Sequence, residues 1–296
     1  MLDRKKVLVI GDLIIDEYIE TEAVGLSLES PTLKTKFISK RKQLGGAGNL
    51  VMNLKALERE VCFITAFNDS DISSQLEENN IELFHLNKQN NVKSRYYVNR
   101  KGTNYKYLQI NNDKKIYISK DEESVVLTKL VGLIDQYESV ILSDYRTGLL
   151  TKNLILSITK LCSSKKIPCI VNTQISDWGN KKKLDLQKFK HCSLFILNEE
   201  ENKFFNLKTD KIVTKGSKGC WYNGIVYPPR KAKVIDTCGA GDSFTAMASV
   251  MKLNKNISLK TLDFCNIWAS LATETEGATP PSYEVFKSII SKRYKA

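Results

Sequence analysis

Three small residues and one carboxylate in a row, Gly239, Ala240, Gly241 and Asp242, are the part of the chain best suited to chemistry. Apolar residues recur at helical spacing after them, so we predict that a helix begins near Gly241. The first N–H groups of a helix have no internal partner, and together with the helix dipole they favour an anion such as phosphate. A carboxylate beside a bound phosphate is electrostatically unfavourable, so its presence in that turn indicates a role in the reaction. Removing a proton from an attacking hydroxyl is such a role. A glycine turn capped by Asp242, without a catalytic role, is the alternative.

Polar residues near the N-terminus stand where ligands bind in open α/β sheets. The apolar run that opens the chain is typical of a strand buried on both faces of a parallel sheet, and Asp12 and Asp16 follow its end. Gly45 and Gly46 precede a second predicted helix start, at which the amide of Asn49 can both donate to and accept from hydroxyls. These residues are candidates for contacts to a ligand, with loop caps and a plain turn as the alternatives.

Asn198 and Glu201 end a predicted strand and open a helix, three residues apart and therefore on one helical face. Their oxygens could hold a hydrated Mg²⁺, which prefers oxygen ligands and keeps several waters. An N-cap asparagine with a glutamate in the first helical turn is the alternative. The segment 212–219 reads as a strand with a glycine-rich turn and predicts one edge of a nucleotide site.

The elements that must position these residues alternate between strand and helix along the chain. Short apolar runs, such as 61–67 and 140–145, are separated by segments of helical length, such as 152–164. That alternation predicts βαβ units and a mostly parallel sheet between helices. Residues 233–235, just before the glycine-rich turn, are predicted to form a short strand. Because we find no repeat or linker, we predict one domain over 1–296.

The composition disfavours several classes of protein. The net charge of +12 suits an anionic ligand, although a lysine-rich surface explains it without any function. Seven scattered cysteines without a CxxC pair favour free thiols in a reducing compartment, and two histidines cannot build a His-rich metal site. No apolar run approaches the ~18 residues that span a bilayer, and the start of the chain lacks a signal-peptide pattern. We therefore predict a cytoplasmic protein without a membrane partner.

Four stretches, in this order along the chain, resemble the signatures of the PfkB/ribokinase family of carbohydrate kinases. GGAGN at 45–49 is similar to the N-terminal signature of that family, and DTCGAGD at 236–242 is similar to its C-terminal signature. Asn198 with Glu201 is similar to its NxxE motif, and VTKGSKG at 213–219 is similar to its turn beside the nucleotide. One such motif is weak, but four in the right order and spacing are specific.

The resemblance covers the chain from Val7 to about Phe286. It implies a ribokinase-like three-layer α/β/α sandwich with a small β-strand lid, which we assign to about 17–38 and 93–110. It also implies a requirement for ATP and Mg²⁺, with a monovalent cation as a further possibility, and a small-molecule sugar or sugar phosphate as the acceptor. A homodimer through the lid is expected as well, because an unpaired strand edge is a liability in water.

The resemblance assigns roles to single residues. Asp242 would be the catalytic base, and the N–H groups of Gly239, Ala240 and Gly241 would stabilise charge on the transferred phosphoryl group. The sugar would be bound by Asp12, Asp16, Gly45, Gly46, Asn49, Lys93 and Arg95. The nucleotide would be bound by Asn198, Thr214, Lys215, Gly216, Gly219, Asn266 and Gly277. Mg²⁺ would be held by Asn198 and Glu201 through water molecules.

Within the family, the resemblance is closest to the kinases that phosphorylate D-glycero-D-manno-heptose 7-phosphate at O1, for the synthesis of ADP-heptose used in lipopolysaccharide or other surface glycans. The matching stretches include SLESP at 27–31, LGGAGNLVMNLKAL at 44–57, VKSR at 92–95 and LSDYRTG at 142–148. A heptose 7-phosphate calls for cations near the sugar but away from Asp242. Strand alternation puts Lys93 and Arg95 on one face, so these two are the candidates.

Two positions depart from the pattern of those kinases. Thr147 stands where a lysine is usual, and Asn172, Thr173 and Gln174 replace an acidic segment. The acceptor therefore stays open to another sugar or sugar phosphate, such as fructose, ribose or tagatose phosphate. A catalytically silent sugar-binding relative is disfavoured by the intact GAGD sequence, and a nucleic-acid-binding protein by lysines that are spread and not clustered with aromatic residues.

Overall fold

The computed structural model describes residues 6–100, 103–175, 186–207, 209–251 and 257–294. Within those ranges the strands are β1 (Lys6–Gly11), β2 (Leu13–Leu26), β3 (Leu33–Gly46), β4 (Glu60–Phe67), β5 (Glu82–Asn87), β6 (Asn91–Arg100), β7 (Thr103–Asn112), β8 (Ser139–Asp144), β9 (Cys169–Thr173), β10 (Leu194–Asn198), β11 (Lys211–Thr214), β12 (Cys220–Tyr222) and β13 (Ile225–Tyr227). The helices are α1 (Ala47–Ala56), α2 (Ser70–Glu78), α3 (Lys120–Leu133), α4 (Lys152–Ser164), α5 (Glu199–Phe205), α6 (Ala240–Val250), α7 (Leu259–Ala272) and α8 (Tyr283–Tyr294).

Nine of these strands form one large sheet in the part of the chain that the structure describes. Their spatial order is β13-β12-β11-β10-β9-β8-β1-β4-β5. Neighbours from β5 to β11 pair in parallel, and β12 and β13 add an antiparallel edge. The carboxyl ends of β1, β8, β9, β10 and β11 therefore meet at one edge of the sheet, which is where open α/β sheets bind ligands.

Side chains of the large sheet point alternately into two hydrophobic cores. Val7, Val9 and Phe63 belong to the core on one face, which α1, α2, α6, α7 and α8 cover. Leu8 and Ile10 belong to the core on the other face, which α3, α4 and α5 cover. Because both faces of the strands are buried, their sequences read as continuous apolar runs. The result is the three-layer α/β/α arrangement predicted from the resemblance.

The remaining four strands form a second sheet, called here the small sheet, in the order β3-β2-β6-β7. It contains most of the segments 17–38 and 93–110 that we assigned to a lid, and its action as a lid stays a prediction. The chain enters it directly after β1, through Asp12, and leaves it through Gly46 into α1. At that junction Leu13 pairs with Gly46, and the N–H of Ala47 donates to the carbonyl of Asp12 at 3.0 Å.

The structure corrects one predicted element: residues 233–235 do not form a strand. Val234 and Ile235 are 59% and 61% exposed, so the pattern that predicted a short strand is misleading here. The N–H of Ile235 donates instead to the carbonyl of Thr273, at the end of α7. Other boundaries moved by a few residues, and the turn at 101–102 of the predicted hairpin lies outside the described residues.

Candidate active site

The glycine-rich turn predicted to bind phosphate lies at the start of α6. Gly239 caps the helix with φ of 77°, and a Cβ on it would lie 2.5 Å from Nδ2 of Asn49, so this position requires glycine. Ala240, Gly241 and Asp242 form the first helical turn, which confirms the predicted helix start. N–H groups at such a turn point out of the helix, so the geometry suits an anion.

Asp242 is buried in this turn, and each of its carboxylate oxygens accepts a hydrogen bond. The side-chain amide of Asn49 donates to Oδ2 at 2.8 Å, and the hydroxyl of Tyr145 donates to Oδ1 at 3.1 Å. Asn49 lies in the first turn of α1 and Tyr145 directly follows β8. Three separate elements therefore fix the orientation of one carboxylate.

Burial raises the pKa of Asp242 to about 6. The hydrogen bonds from Asn49 and Tyr145 lower it, the negative charge of Asp16 raises it, and the positive charge of Lys93 lowers it. A carboxylate of this pKa is ionised at neutral pH and is still basic enough to accept a proton from a hydroxyl group. Lys93 thus acts on the carboxylate itself, whereas the sequence placed it away from Asp242.

Asp16 and Arg95 form a buried ion pair on the face of the small sheet that looks towards α6. Nη1 of Arg95 lies 2.6 Å from Oδ1 of Asp16, and Nη2 lies 3.9 Å from Sγ of Cys238. Burial raises the pKa of Asp16 and outweighs the opposing effect of Arg95. A Cβ on Gly45 would lie 2.4 Å from Oδ2 of Asp16, so glycine leaves the space in which this carboxylate sits. Arg95 is therefore committed to Asp16 before any ligand arrives.

Asp12, predicted to bind the sugar, is fully buried and bonded to the protein itself. The hydroxyl of Thr147 donates to its Oδ1 at 2.6 Å, and the N–H of Thr147 donates to its Oδ2 at 3.3 Å. Burial, and next the nearby Asp144, raise the pKa of Asp12 to about 7. The geometry gives Asp12 a role in holding the loop after β8, behind the wall of the site. Thr147, the departure from the lysine of the resembling kinases, supplies that contact.

A cavity of about 860 Å³ opens beside Asp242, along the carboxyl ends of β10 and β11. Its volume is in the range that holds a large organic ligand. Residues predicted to bind the nucleotide or the transferred phosphate are found in its lining, namely Asn198, Thr214, Gly216, Gly219, Asn266, Gly239, Ala240 and Gly241. The cavity is thus a candidate nucleotide site.

Two residues predicted to bind the nucleotide lie elsewhere. Nζ of Lys215 is 3.3 Å from Oε1 of Glu199, and Lys215, directly after β11, lines a separate, smaller cavity together with Lys211 and Val213. Gly277 packs closely against the small sheet. A Cβ at this position would lie only 2.8 Å from the hydroxyl oxygen of Tyr18. Its N–H donates to Oδ2 of Asp236 at 3.1 Å, so Gly277 braces the loop that leads into α6.

Asn198 and Glu201 form a capping box at the start of α5. The side chain of Asn198 accepts from the N–H of Glu201 at 2.8 Å, and the carboxylate of Glu201 accepts from the N–H of Asn198 at 2.7 Å. Burial raises the pKa of Glu201 to about 7, and the charge of Asp242 adds to the rise. The capping alternative is therefore present, and a role in holding Mg²⁺ stays a prediction. Each oxygen keeps a further lone pair, which fits a metal bound through water.

Among the described residues, no cluster of three or more His, Cys, Asp or Glu side chains could hold a metal ion. A helix long and apolar enough to cross a membrane is also absent from the ranges that the structure describes.

Sequence reasoning did not assign Tyr145 or Gln174 to the site. Both line the cavity beside Asp242, and both also line a small polar pocket that contains Lys93 and Asp113. Each follows the carboxyl end of a strand, β8 for Tyr145 and β9 for Gln174. The rule that ligands bind at these strand ends was the signal that could have found them.

The fold is ribokinase-like. The structure is similar to that of Arabidopsis thaliana ribokinase complexed with ribose and ATP, with a TM-score of 0.67, 18% identity, and coverage of 96% of this chain and 98% of that one. It is similar to phosphofructokinase-2 from Escherichia coli in complex with potassium, with a TM-score of 0.68, 18% identity and coverage of 98% of both chains. At this identity the two neighbours establish the fold.

The family follows from the sequence model of the pfkB family carbohydrate kinases, which matches residues 4–284. The chain belongs to that family and is an ATP-dependent carbohydrate kinase. It is also 26% identical, over 99% of its length, to the "Bifunctional protein HldE" of Campylobacter jejuni. The chain spans 66% of the length of that relative.

Proposed function

We propose that this kinase transfers the γ-phosphoryl group of ATP to O1 of D-glycero-D-manno-heptose 7-phosphate. The observation that carries the proposal is the position of Asp242 between a large cavity and a charged face of the small sheet. On one side lies the cavity of about 860 Å³, and on the other lies the face of the small sheet that bears Asp16, Lys93 and Arg95. Relatives named "Bifunctional protein HldE", at 23–27% identity, support the choice of acceptor.

In the proposed reaction Asp242 accepts the proton of the attacking hydroxyl group. Asn49 and Tyr145 hold its two oxygens, so the carboxylate is oriented before the acceptor binds. The N–H groups at Gly239, Ala240 and Gly241 stabilise negative charge on the transferred phosphoryl group. Mg²⁺, held through water by Asn198 and Glu201, would neutralise charge on the phosphates of ATP.

The acceptor's own phosphate would be bound on the small sheet. A second cavity, of about 550 Å³, lies between this sheet and the loop before α6, and Arg95, Lys106 and Gln109 line it. Asp236 and Glu276 line it too, so the cations there are partly balanced. Pairing with Asp16 leaves Nη2 of Arg95 directed towards Cys238, which lines the same cavity. A planar guanidinium can bind the carboxylate and a phosphate oxygen with different N–H groups.

An ATP-consumption assay over a panel of acceptors tests the proposal. The panel contains the heptose 7-phosphate, the free heptose, fructose, ribose and tagatose phosphate, each with and without Mg²⁺. We expect the heptose 7-phosphate to give the highest kcat/KM, with the new phosphate ester on O1 by ³¹P NMR. A free sugar or a hexose phosphate turned over equally well would reject the heptose and leave the broader sugar-kinase function in place.

We also propose that the small sheet is a lid that pairs with the lid of a second copy of this chain. On the face opposite Arg95, apolar side chains of the small sheet are exposed, among them Phe37, Tyr105, Leu108 and Ile110. A patch of this kind on a sheet is typical of an interaction surface. Sedimentation at micromolar concentration should show a dimer, and Leu108→Lys should convert it to a monomer. A wild-type monomer would reject this arrangement.

A further inference from the structure

A buried chain of side-chain hydrogen bonds leads from α7 to the carboxylate of Asp242. The indole N–H of Trp268 donates to Oδ1 of Asn53 at 3.0 Å. The amide of Asn53 donates to Oδ1 of Asn49 at 3.1 Å, and the amide of Asn49 donates to Oδ2 of Asp242 at 2.8 Å. Trp268 and Asn53 are 0% exposed and Asn49 is 1% exposed, so water does not compete for these bonds.

This series of hydrogen bonds has one direction, because the indole of Trp268, at which it begins, can only donate. An indole has an N–H and no acceptor atom, so it demands the oxygen of the Asn53 amide. The NH₂ group of Asn53 must then face α1, where it also donates to the carbonyl of Asn49 at 2.9 Å. That NH₂ group in turn demands the oxygen of the Asn49 amide, so the NH₂ of Asn49 faces Asp242. Each amide orientation is set by the previous one, and a longer bond from the NH₂ group of Asn49 to the carbonyl of Gly239, at 3.4 Å, agrees with it.

The three helices that carry these residues are packed together on one face of the large sheet. α1 packs against α6, and α6 packs against α7. Asn49 and Asn53 are four residues apart on α1, one above the other on the same face. Trp268 is held by ring contacts with Phe286 and Tyr283 of α8, at centroid distances of 5.4 Å and 6.5 Å. The indole N–H of Trp268, the first donor in the series, is thus anchored in the core.

We propose that Trp268 and Asn53 are positioning residues that lock the amide of Asn49 with its N–H towards Asp242. The role rests on the proposed function of Asp242 as the base. With the amide of Asn49 reversed, its oxygen would face the carboxylate oxygen at hydrogen-bond distance, which disfavours the ionised form. The indole, which touches neither ligand cavity, thereby keeps the base ionised at neutral pH.

Other groups also affect the pKa of Asp242, and they stay in place when the series of hydrogen bonds from Trp268 is interrupted. The negative charge of Asp16 raises its pKa, while Lys93 and the hydroxyl of Tyr145 lower it. Glu201 and Cys238 are close enough for their own pKa values to be raised by the charge of Asp242. A change confined to Trp268 or Asn53 leaves all of these groups untouched.

The test measures the titration of Asp242 in Trp268→Phe and Asn53→Leu. Phe286→Leu is the matched control, because it removes a ring packed on the same indole and keeps the donor. The first readout needs no acceptor: the side-chain NH₂ resonances of Asn49, assigned with Asn49→Ser, are followed against pH by NMR. In the wild type their inflection is expected near pH 6, where Asp242 titrates. In both test variants it should move up by about one pH unit, and in the control it should not move.

The second readout is the pH profile of kcat/KM with MgATP and heptose 7-phosphate. Its acid limb should move up with the inflection, so the variants lose about tenfold at acidic pH and recover at alkaline pH. If Asn53→Leu does not fold, Trp268→Phe alone decides. An unmoved inflection in the folded variant overturns the positioning role. Retained activity in Asp242→Asn would instead overturn the proposed base, even if the resonances of Asn49 shift as expected.

Discussion

Breaking the ion pair of Asp16 and Arg95 should cost the protein both stability and affinity for its acceptor. The two atoms are 2.6 Å apart, and the side chains are 6% and 12% exposed. Removing one partner of a buried pair typically costs 3–5 kcal/mol, because the other charge stays buried without compensation. The pKa of Asp16 is already raised by burial, so after Arg95→Ala this carboxyl can take up a proton and limit the loss. We therefore expect about 3 kcal/mol, at the lower end of that range.

The dependence on pH follows from the same proton. In Arg95→Ala the folded protein binds a proton on Asp16 at a pH where the unfolded chain has released it. Stability then falls as pH rises, so the deficit relative to wild type should be smaller at acidic than at alkaline pH. Urea unfolding at several pH values measures it. The double variant with Asp16→Asn should recover about 2 kcal/mol of the summed single losses, which a double-mutant cycle reports.

Kinetic measurements separate the contribution of the Asp16–Arg95 pair to stability from its contribution to binding of the acceptor. Arg95→Ala should raise KM for heptose 7-phosphate by about tenfold or more, equivalent to the loss of one charge-assisted contact, with little change in KM for ATP. Arg95→Lys is the control that keeps the charge and loses the planar fork, and we expect it to recover part of the stability. A stability loss below about 0.5 kcal/mol for Arg95→Ala would refute the reasoning, since surface substitutions fall in that range.

Three further outcomes can be measured on the same protein. Asp242→Asn should lower kcat by about 10²–10⁴-fold while ATP still binds by calorimetry, and a variant within about threefold of wild type would remove Asp242 from the mechanism. In the wild type, kcat/KM should fall with unit slope as pH drops below about 6, because protonation of Asp242 removes the base; a flat profile down to about pH 5 would contradict this assignment. Replacing Asn198 and Glu201 together with Ala should raise the Mg²⁺ concentration for half-maximal rate, and an unchanged dependence would leave the pair with its capping role alone.

The parts of the site that follow from local rules were predictable from the sequence. Gly239 and Asp242 were identified because small residues directly before a helical pattern indicate a turn that leads into a helix. The structure confirms that helix start. The apolar runs gave the buried strands, since a parallel sheet covered on both faces leaves little room for polar residues. The short strand predicted at 233–235 does not form. Two adjacent apolar residues do not show in the sequence whether they are buried, and Val234 and Ile235 are exposed.

The partners of each site residue could not be predicted, because they come from distant parts of the chain. Arg95 looked like a free cation for a phosphate, but pairing of β2 with β6 in register brings it to Asp16. Asp12 looked like a ligand at a strand end, but the loop after β8 closes over it with Thr147. Nothing in the sequence connected Trp268 with Asp242, since a tryptophan on a core helix is ordinary. In each case one contact between distant segments fixes where the side chain lies.

The junction at which the small sheet leaves the large one lies directly before the helix turn that contains Asn49. Leu13 pairs with Gly46, and the N–H of Ala47 donates to the carbonyl of Asp12, so the outgoing and returning strands cross the junction side by side. Asn49 follows only three residues beyond Gly46. If the small sheet closes over an acceptor, as proposed, its movement would be transmitted to the first turn of α1 and to the amide that holds Asp242. Such a linkage would connect enclosure of the acceptor, which excludes water and so limits the loss of ATP to hydrolysis, with the residue that holds the base.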